Sequence, residues 1–268
     1  VWKRTLPAWL LILVMLLTAC GTPSQSAQPD STEGWRKVYE ETGAYLQAQA
    51  APSVGSIGGE WAVIGLSRAG LLSDAAAQSY EQAAEDYVKQ AGSVRLHHAK
   101  STENSRTILG LTAAGYDAAN VAGVDLTAGL TDMAYLRAQG TNGPIWALIA
   151  LDCHGYDIPQ CADGEEQVTR EGLVAEILSY QCSDGGWALM GDESDVDMTA
   201  MALTALAPYK DDVEVKAAVD AALAYLSDAQ QDDGGFMGWG TANSESCAQV
   251  IVALTALGID PAADSRFV

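Results

Sequence analysis

The hydrophobic positions of this chain recur in five segments that are apolar on nearly every side. Each segment is rich in Ala and ends at Gly or Pro, residues that accept a left-handed turn or cannot continue a helix. The pattern therefore predicts five buried helices. They start at Trp61, Arg106, Trp146, Met198 and Gln249.

A more amphipathic segment, with its charges on one side, precedes each buried segment. In the fourth of these, Leu173, Ile177 and Leu178 mark one apolar face. The charged residues of the same segment are expected to face water, and they are Arg170, Glu171 and Glu176. The pattern predicts outer helices that cover the buried ones. They start at Trp35, Ala76, Leu130, Thr169 and Val215.

A repeat of this kind predicts an all-α fold with two concentric layers of helices. Buried helices need neighbours on every side, so the row must either close into a ring or form a long stack. In a straight solenoid the inner helices would be amphipathic, and these are not. We therefore expect a ring over residues 35–268, with a straight solenoid as the alternative.

The turns between outer and inner helices share a glutamine, three residues, a glycine, one residue and an aromatic side chain. The glutamine amide can satisfy free carbonyls at a helix end, the glycine can turn the chain, and the aromatic ring can cover the seam between repeats. Two turns follow this spacing: Gln181, Gly185 and Trp187 in one, and Gln230, Gly234 and Phe236 in the other.

This spacing resembles the QW motif of the squalene-hopene cyclase and protein prenyltransferase superfamily. A third copy, residues 139–145, keeps the glutamine and glycine but has Ile145 in place of the aromatic residue. The resemblance implies an α/α toroid. Such toroids usually have six helix pairs and five are visible here, so a toroid that is incomplete at its C-terminal end is expected.

Two aspartates, Asp195 and Asp197, begin the fourth buried segment. In squalene-hopene cyclases an inner helix begins with Asp-x-Asp-Asp-Thr-Ala, and the middle aspartate protonates an alkene. The resemblance places Asp197 at that acid and Asp195 beside it, with Met198 where a third aspartate is expected. Alternatively, Ser194 and Asp197 form a capping box at the helix start, or the aspartates contact a ligand.

Acidic and aromatic residues recur at the starts of the other buried helices. Glu60, Glu103 and Glu245 are expected as polar caps, and Trp61 and Trp146 could face a central cavity, where π faces steady cations. A ring that directs these helix ends at one cavity would have an acidic mouth. The expected ligand contacts are Glu60, Trp61, Glu103, Trp146, Met198 and Glu245.

The amino terminus carries an export signal. Lys3 and Arg4 precede an apolar run over residues 10–17, and the following sequence to Cys20 resembles the lipobox of bacterial lipoproteins. The resemblance implies a signal peptide over residues 1–20, lipidation of Cys20 and a membrane anchor on the extracellular side. Residues 21–34 are rich in Ser, Pro, Gln and Gly, which predicts a flexible tether. An ordinary secreted protein is the alternative.

The formal charge of −21 argues against nucleic acid, anionic membrane surfaces and diphosphates as partners. With no CxxC sequence and three histidines, no metal site is expected. Cys153 and Cys161 could close a short loop through a disulfide or remain reduced. One basic stretch, residues 95–106, is interpreted as a solvated loop.

We expect a lipid-anchored, non-catalytic surface protein that binds a small ligand or a protein partner and has no cofactor. A terpene cyclase-like enzyme with Asp197 as its acid is one alternative. Another is cobalamin capture, because the run from Val196 to Leu206 also resembles inner helices of transcobalamin and intrinsic factor.

Overall fold

A computed structural model describes residues 31–49, 53–55, 59–238 and 240–267. Cys20, the predicted signal peptide and residues 21–30 of the predicted tether lie outside the described residues. Residues 31–34, which are expected to belong to the flexible tether, are helical instead. The described residues form ten α-helices and one short hairpin, so the chain is all-α. The helices are α1 (Ser31–Gln47), α2 (Glu60–Arg68), α3 (Asp74–Ala91), α4 (Thr102–Ala113), α5 (Met133–Arg137), α6 (Asn142–Asp152), α7 (Arg170–Ser179), α8 (Val196–Leu206), α9 (Val213–Ala229) and α10 (Ser244–Leu257); two 3₁₀ turns span Leu126–Leu130 and Ala207–Tyr209, and the hairpin pairs β1 (Met237–Gly238) with β2 (Thr241–Ala242).

Helix α1 belongs to a unit of its own that ends at Ala48, and the other described elements belong to a second unit. Within α1 the rings of Trp35 and Tyr39 meet edge to face at 6.3 Å, one turn apart. Lys37 and Glu41 form an ion pair on the same helix at 3.7 Å. No helix in the described part of the chain is both long and apolar enough to cross a membrane.

The five predicted buried helices are α2, α4, α6, α8 and α10, and they contact one another in chain order. Hydrogen bonds and ion pairs join neighbours at like ends. Glu60 and Arg106 meet near the N-terminal ends of α2 and α4, and Ser67 donates to the Ala113 carbonyl at their C-terminal ends. These neighbours therefore run parallel.

The same pairing of ends recurs further along the row. Thr141 donates to the Ala188 carbonyl on the N-terminal side of α6 and α8, and the Tyr209 hydroxyl donates to Asp152 at their C-terminal side, at 2.8 Å. Lys210, beyond the end of α8, donates to the last carbonyl of α10 at 2.7 Å. The N-terminal ends of the inner helices thus all lie on the same side of the row, and their C-terminal ends lie on the other side.

The row is bent. Trp61 lies on the first inner helix and Trp146 on the third, yet their ring centroids are 5.3 Å apart. In a straight row of helices at the usual spacing of about 8–10 Å, α4 would separate these side chains. The contact therefore requires α2 and α6 to converge on one side of α4.

The inner helices at the two ends of the row are less buried than their sequences predict. Trp61 on α2 is 40% exposed, and Ile251 and Val252 on α10 are 51% and 50% exposed. Helix α6, which has inner neighbours on both sides, buries most of its residues. Burial on every side therefore depends on having a neighbour on every side.

Four outer helices lie against this row: α3 contacts α4, α5 and α7 contact α6, and α9 contacts α8. On α7, Leu173 and Ile177 are fully buried. The expectation that Arg170, Glu171 and Glu176 face water is confirmed for Glu171, which is exposed, and is wrong for Arg170 and Glu176. Arg170 pairs with Asp152 at 2.7 Å, and Glu176 pairs with Arg137 at 2.8 Å, so both are half-buried between elements.

The third outer helix is not the single helix that the sequence predicts from Leu130 onward. It is split into a 3₁₀ turn and the short α5, because Asp132 caps a new helix start by accepting from the Ala134 backbone at 3.1 Å. In addition, Met133 N donates to the Glu166 carbonyl and Val168 N to the Thr131 carbonyl. These backbone groups bond to a distant segment and cannot continue a helix.

At the fourth turn, Gln181 bridges two repeats. Its Nε2 donates to the carbonyl of Gly185 at 2.8 Å and to that of Ala218 on α9 at 2.9 Å. Gly185 has φ +92°, and a side chain there would collide with the Ala221 carbonyl. Trp187 is fully buried and donates its indole N–H to the Ile177 carbonyl at 2.7 Å. The turn thus joins α7, α8 and α9.

The other two copies of the turn differ from each other. Gln230 donates to the Gly234 carbonyl at 2.9 Å and Phe236 is buried, as in the fourth turn. Gln139 instead accepts from the Thr102 backbone at 2.9 Å and from the Ser101 hydroxyl at 3.0 Å. It therefore caps α4, whose own N-cap residue makes no side-chain bond to the helix.

Candidate functional site

Asp195 is the residue that caps α8. It has extended backbone angles, and its Oδ1 accepts from the Met198 backbone at 2.8 Å. The predicted capping box of Ser194 and Asp197 is therefore wrong. The Ser194 hydroxyl donates to Asp184 instead, at 2.6 Å, and Asp197 lies in the first turn of the helix.

Asp195 also lines an open cavity of about 640 Å³ between the start of α8, the end of α9 and the hairpin. Three carboxylates and the Tyr225 ring share this cavity with apolar side chains. No basic side chain is present among its described lining residues. The lining is Leu189, Met190, Glu193, Ser194, Asp195, Val196, Tyr225, Asp228, Ala229, Gln231, Met237 and Gly240.

Burial controls the electrostatics of this cavity. Loss of solvent raises the pKa of Asp195, the charge of Asp197 raises it further, and the hydrogen bond from Met198 N opposes both effects. Burial, followed by the charges of Asp184 and Asp195, raises the pKa of Tyr225 to about 12. Tyr225 is therefore a neutral donor at physiological pH, and its hydroxyl donates to the Ser194 carbonyl at 3.0 Å.

Asp197 is turned toward α10 and is not among the residues that line this cavity. Its Oδ2 is 3.2 Å from the point where a Cβ on Gly238 would lie, and the Ser246 hydroxyl is 2.6 Å from the same point. Ser246 is fully buried. Neither Asp197 Oδ1 nor Ser246 Oγ has a hydrogen-bond partner in the part of the chain that the structure describes. Asp195 therefore lines the cavity, whereas Asp197 faces α10.

Glu60 and Glu103 are brought together by Arg106. Glu60 is fully buried, with Oε2 3.2 Å from Arg106 Nε and Oε1 accepting from the Gly55 backbone at 2.7 Å. Arg106 Nη2 donates to Glu103 at 2.7 Å. Both carboxylates are therefore occupied by an internal network. The interpretation of residues 95–106 as a solvated loop is therefore wrong for Arg106, which lies within α4 and pairs with both carboxylates. Its position three residues after Glu103 is a sequence signal for a helical ion pair.

The remaining predicted ligand contacts are dispersed. Trp61 and Trp146 form a tilted ring pair, and Trp61 is partly open to solvent. Met198 is buried in the core, where it packs among apolar side chains. Glu245 is exposed in the first turn of α10 and accepts from the Ser244 hydroxyl at 3.2 Å. Trp61 and Glu245 are therefore the members of this set that are open to solvent, and they lie on the first and last inner helices.

The four described cysteines are free thiols. Cys153 bonds to the Ala150 carbonyl, and burial raises the pKa of its thiol. Cys161 bonds to the Glu165 carbonyl. In this structure Cys153 and Cys161 are therefore reduced and do not form a disulfide. Among the described residues, no group of three or more His, Cys, Asp or Glu side chains is arranged to hold a metal ion.

The fold and the cavity define an all-α helical-repeat protein with an acidic site at one end of its inner helices. Comparison of the chain with protein-family models, with curated proteins and with solved structures gives no match.

Proposed function

We propose that this chain is a lipid-anchored surface protein of the α/α-toroid type whose acidic cavity binds a small cationic ligand. The observation that carries the proposal is the cavity of about 640 Å³ in which Glu193, Asp195 and Asp228 meet with no basic residue among the described lining. Its size falls within the usual range for small-molecule sites, roughly 300–1,000 Å³. The lipobox ending at Cys20 supports the anchor.

The chemistry of the lining favours a cation with an apolar body. Asp195 is partly dehydrated before any ligand arrives, so a cation placed beside it is attracted more strongly than in water. The Tyr225 ring offers a π face, and Met190 and Met237 offer flexible apolar contacts. Such a ligand is a quaternary or protonated amine that carries a hydrocarbon group.

The toroid is supported by three features of the helices. The inner helices run parallel and contact one another in order, outer helices lie against them, and the Trp61–Trp146 contact bends the row. A row that keeps bending in one direction brings its ends toward each other. The bridge from Gln181 to Ala218 joins one repeat to the next.

The binding proposal is tested with benzyltrimethylammonium and its neutral isostere neopentylbenzene, by calorimetric titration of the chain from residue 21 onward. The cation should bind and the isostere should not. Asp195→Asn should weaken binding at least about tenfold, the equivalent of 1.4 kcal/mol, while Asn still caps α8. Asp197→Asn is the matched control and should leave the affinity nearly unchanged, because Asp197 is turned toward α10.

The pH dependence gives a second readout of the same titration. Protonation of Asp195 removes its charge, so the affinity should fall as the pH falls. Because the pKa of Asp195 is raised, the fall should begin at a higher pH than an ordinary aspartate, about 3.9, would give. Asp195→Asn should lack this step. Equal binding of the cation and the isostere would contradict the proposal.

A second candidate, a terpene cyclase-like enzyme, is favoured by one observation. Asp197 Oδ1 is buried without a hydrogen-bond partner among the described residues, so no bond within the described part of the chain accounts for this oxygen. Incubation with squalene and shorter polyprenes, followed by mass spectrometry, should give no cyclised product if the binding proposal holds. A product that disappears in Asp197→Asn would establish the enzyme instead. Cobalamin is added as a third probe, and a coloured gel-filtration peak would identify it as the ligand.

A further inference from the structure

An apolar groove of about 440 Å³ lies at the α10 end of the row, separate from the acidic cavity. One wall is the turn that contains Gln230, Gly234 and Phe236, and the floor is formed by α10. Pro261, Ala262 and Phe267, which follow α10 in the chain, complete the lining. No charged side chain is present among the described residues that line it.

This groove corresponds to a surface that is covered by a helix one repeat earlier in the chain. On the preceding repeat, α9 lies on the corresponding turn and on α8. There Gln181 donates to the Ala218 carbonyl of α9, and Gly185 approaches Ala221 so closely that a side chain at position 185 would collide with it. In the groove, Gly234 holds the place of Gly185, and α10 holds the place of α8.

The shape of the α9 interface indicates what fits such a seat. The face that α9 buries consists of aliphatic side chains separated by alanines: Val215, Ala218, Val219, Ala222, Leu223 and Leu226. The small residues let the helix approach the glycine turn, and the larger ones fill the space over the inner helix. Ile251, half-exposed on α10 and lining the groove, offers the same kind of surface.

We propose that the groove is a docking site for one amphipathic α-helix that presents Ala, Val and Leu on one face, in the manner of α9. The groove has the same kind of aliphatic lining that α9 covers on the preceding repeat, with Gly234 in the place of Gly185 and α10 in the place of α8. Covering the half-exposed Ile251 side chain removes apolar surface from water, which favours docking. A charged residue facing the groove would oppose docking, since the groove supplies no counter-charge among its described residues.

The probe is a fluorescent peptide with the sequence of residues 213–229, added to the chain from residue 21 onward and followed by anisotropy. Saturable binding is expected. Ile251→Asp should weaken it at least tenfold. Val252→Asp is the matched control, because Val252 is equally exposed on the same helix but is not among the residues that line the groove. Both sites are half-exposed, so neither variant should unfold the chain.

The peptide itself supplies a second control. A version with Asp at the position of Leu223 should not bind, because that side chain belongs to the buried face of α9. Absence of saturable binding, or an equal loss in Ile251→Asp and Val252→Asp, would overturn the proposal. Sedimentation of the chain alone distinguishes another occupant. A dimer that Ile251→Asp dissociates would assign the groove to a second copy and would also overturn it.

Discussion

Replacing Trp187 by Ala should lower the free energy of unfolding by about 3–5 kcal/mol, the usual cost of emptying a fully buried aromatic site. Trp187 is 0% exposed, and its ring fills the space between repeats. Its backbone N–H donates to the Thr199 hydroxyl, and its indole N–H donates to the Ile177 carbonyl. The substitution therefore leaves a cavity and also removes one of the two donors to the Ile177 carbonyl, which keeps its bond from the Tyr180 backbone. Urea unfolding followed by circular dichroism measures the loss.

Two further variants separate the contributions to that loss. Trp187→Phe keeps most of the ring but removes the indole donor, so it should cost about 0.5–1.5 kcal/mol for the lost hydrogen bond, because the Ile177 carbonyl still accepts from the Tyr180 backbone, in addition to a smaller packing loss. Trp61→Ala should cost less than Trp187→Ala, because Trp61 is 40% exposed. If Trp187→Ala costs no more than Trp61→Ala, the ring does not hold the seam between repeats.

The seam around Trp187 is the part of the fold that the sequence predicts best. Gln181, Gly185 and Trp187 follow a fixed spacing, and each meets one local physical need, which is an amide for free carbonyls, a positive φ or a large ring. Because each of these needs is local, the residues that meet it can be recognised from the sequence of the turn alone. The five inner helices are predicted for the same reason, since their apolar character is a property of each segment by itself.

The third outer helix could not be predicted from its own segment. Its apolar spacing is helical, but Met133 N bonds to Glu166 and Thr131 accepts from Val168. Those partners come from a segment some thirty residues later, and no signal within residues 130–139 indicates them. Long-range backbone pairing overrides a local helical preference wherever it satisfies the same groups.

The candidate site, too, is predicted from the sequence only in part. The sequence places Asp195 and Asp197 at a helix start, and the structure has them there. Which carboxylate caps the helix and lines the cavity depends on the hairpin and on α10, which pack over the start of α8. The sequence predicts Glu60 and Glu103 as separate ligand contacts. Their common partner Arg106 is apparent only when α2 and α4 are side by side.

Replacing Arg106 by Met should be nearly as costly as the loss of Trp187. Removing one partner of a buried ion pair typically costs about 3–5 kcal/mol, because the remaining charge is left uncompensated. Glu60 is 0% exposed, and with Arg106 absent the Gly55 N–H would remain as a neutral donor, but no cation in the described part of the chain would pair with the carboxylate. Met has a similar length and fills most of the volume, so the loss reports the charge. Urea unfolding again provides the measurement.

A double-mutant cycle identifies which carboxylate needs Arg106. Adding Glu60→Gln to Arg106→Met should recover much of the lost stability, because a neutral amide can still accept from Gly55 and needs no counter-ion. Glu103 is 15% exposed, so Glu103→Gln in the same background should recover less. The surface pair of Lys216 and Asp220 is the control, and Lys216→Met should change stability by no more than about 1 kcal/mol.

High salt provides a second way to distinguish the buried pair of Arg106 and Glu60 from the exposed pair of Lys216 and Asp220. Ions screen exposed charges within a few ångströms at about 1 M salt but do not reach a fully buried carboxylate, so the cost of Arg106→Met should persist at high salt. Any effect of Lys216→Met should vanish there. If the Arg106 variant behaves like the Lys216 variant, Glu60 is hydrated in solution. If Glu103→Gln restores more stability than Glu60→Gln, then Arg106 stabilises the fold mainly through Glu103, the less buried of the two carboxylates. In that case α2 is held to α4 mainly by apolar contacts.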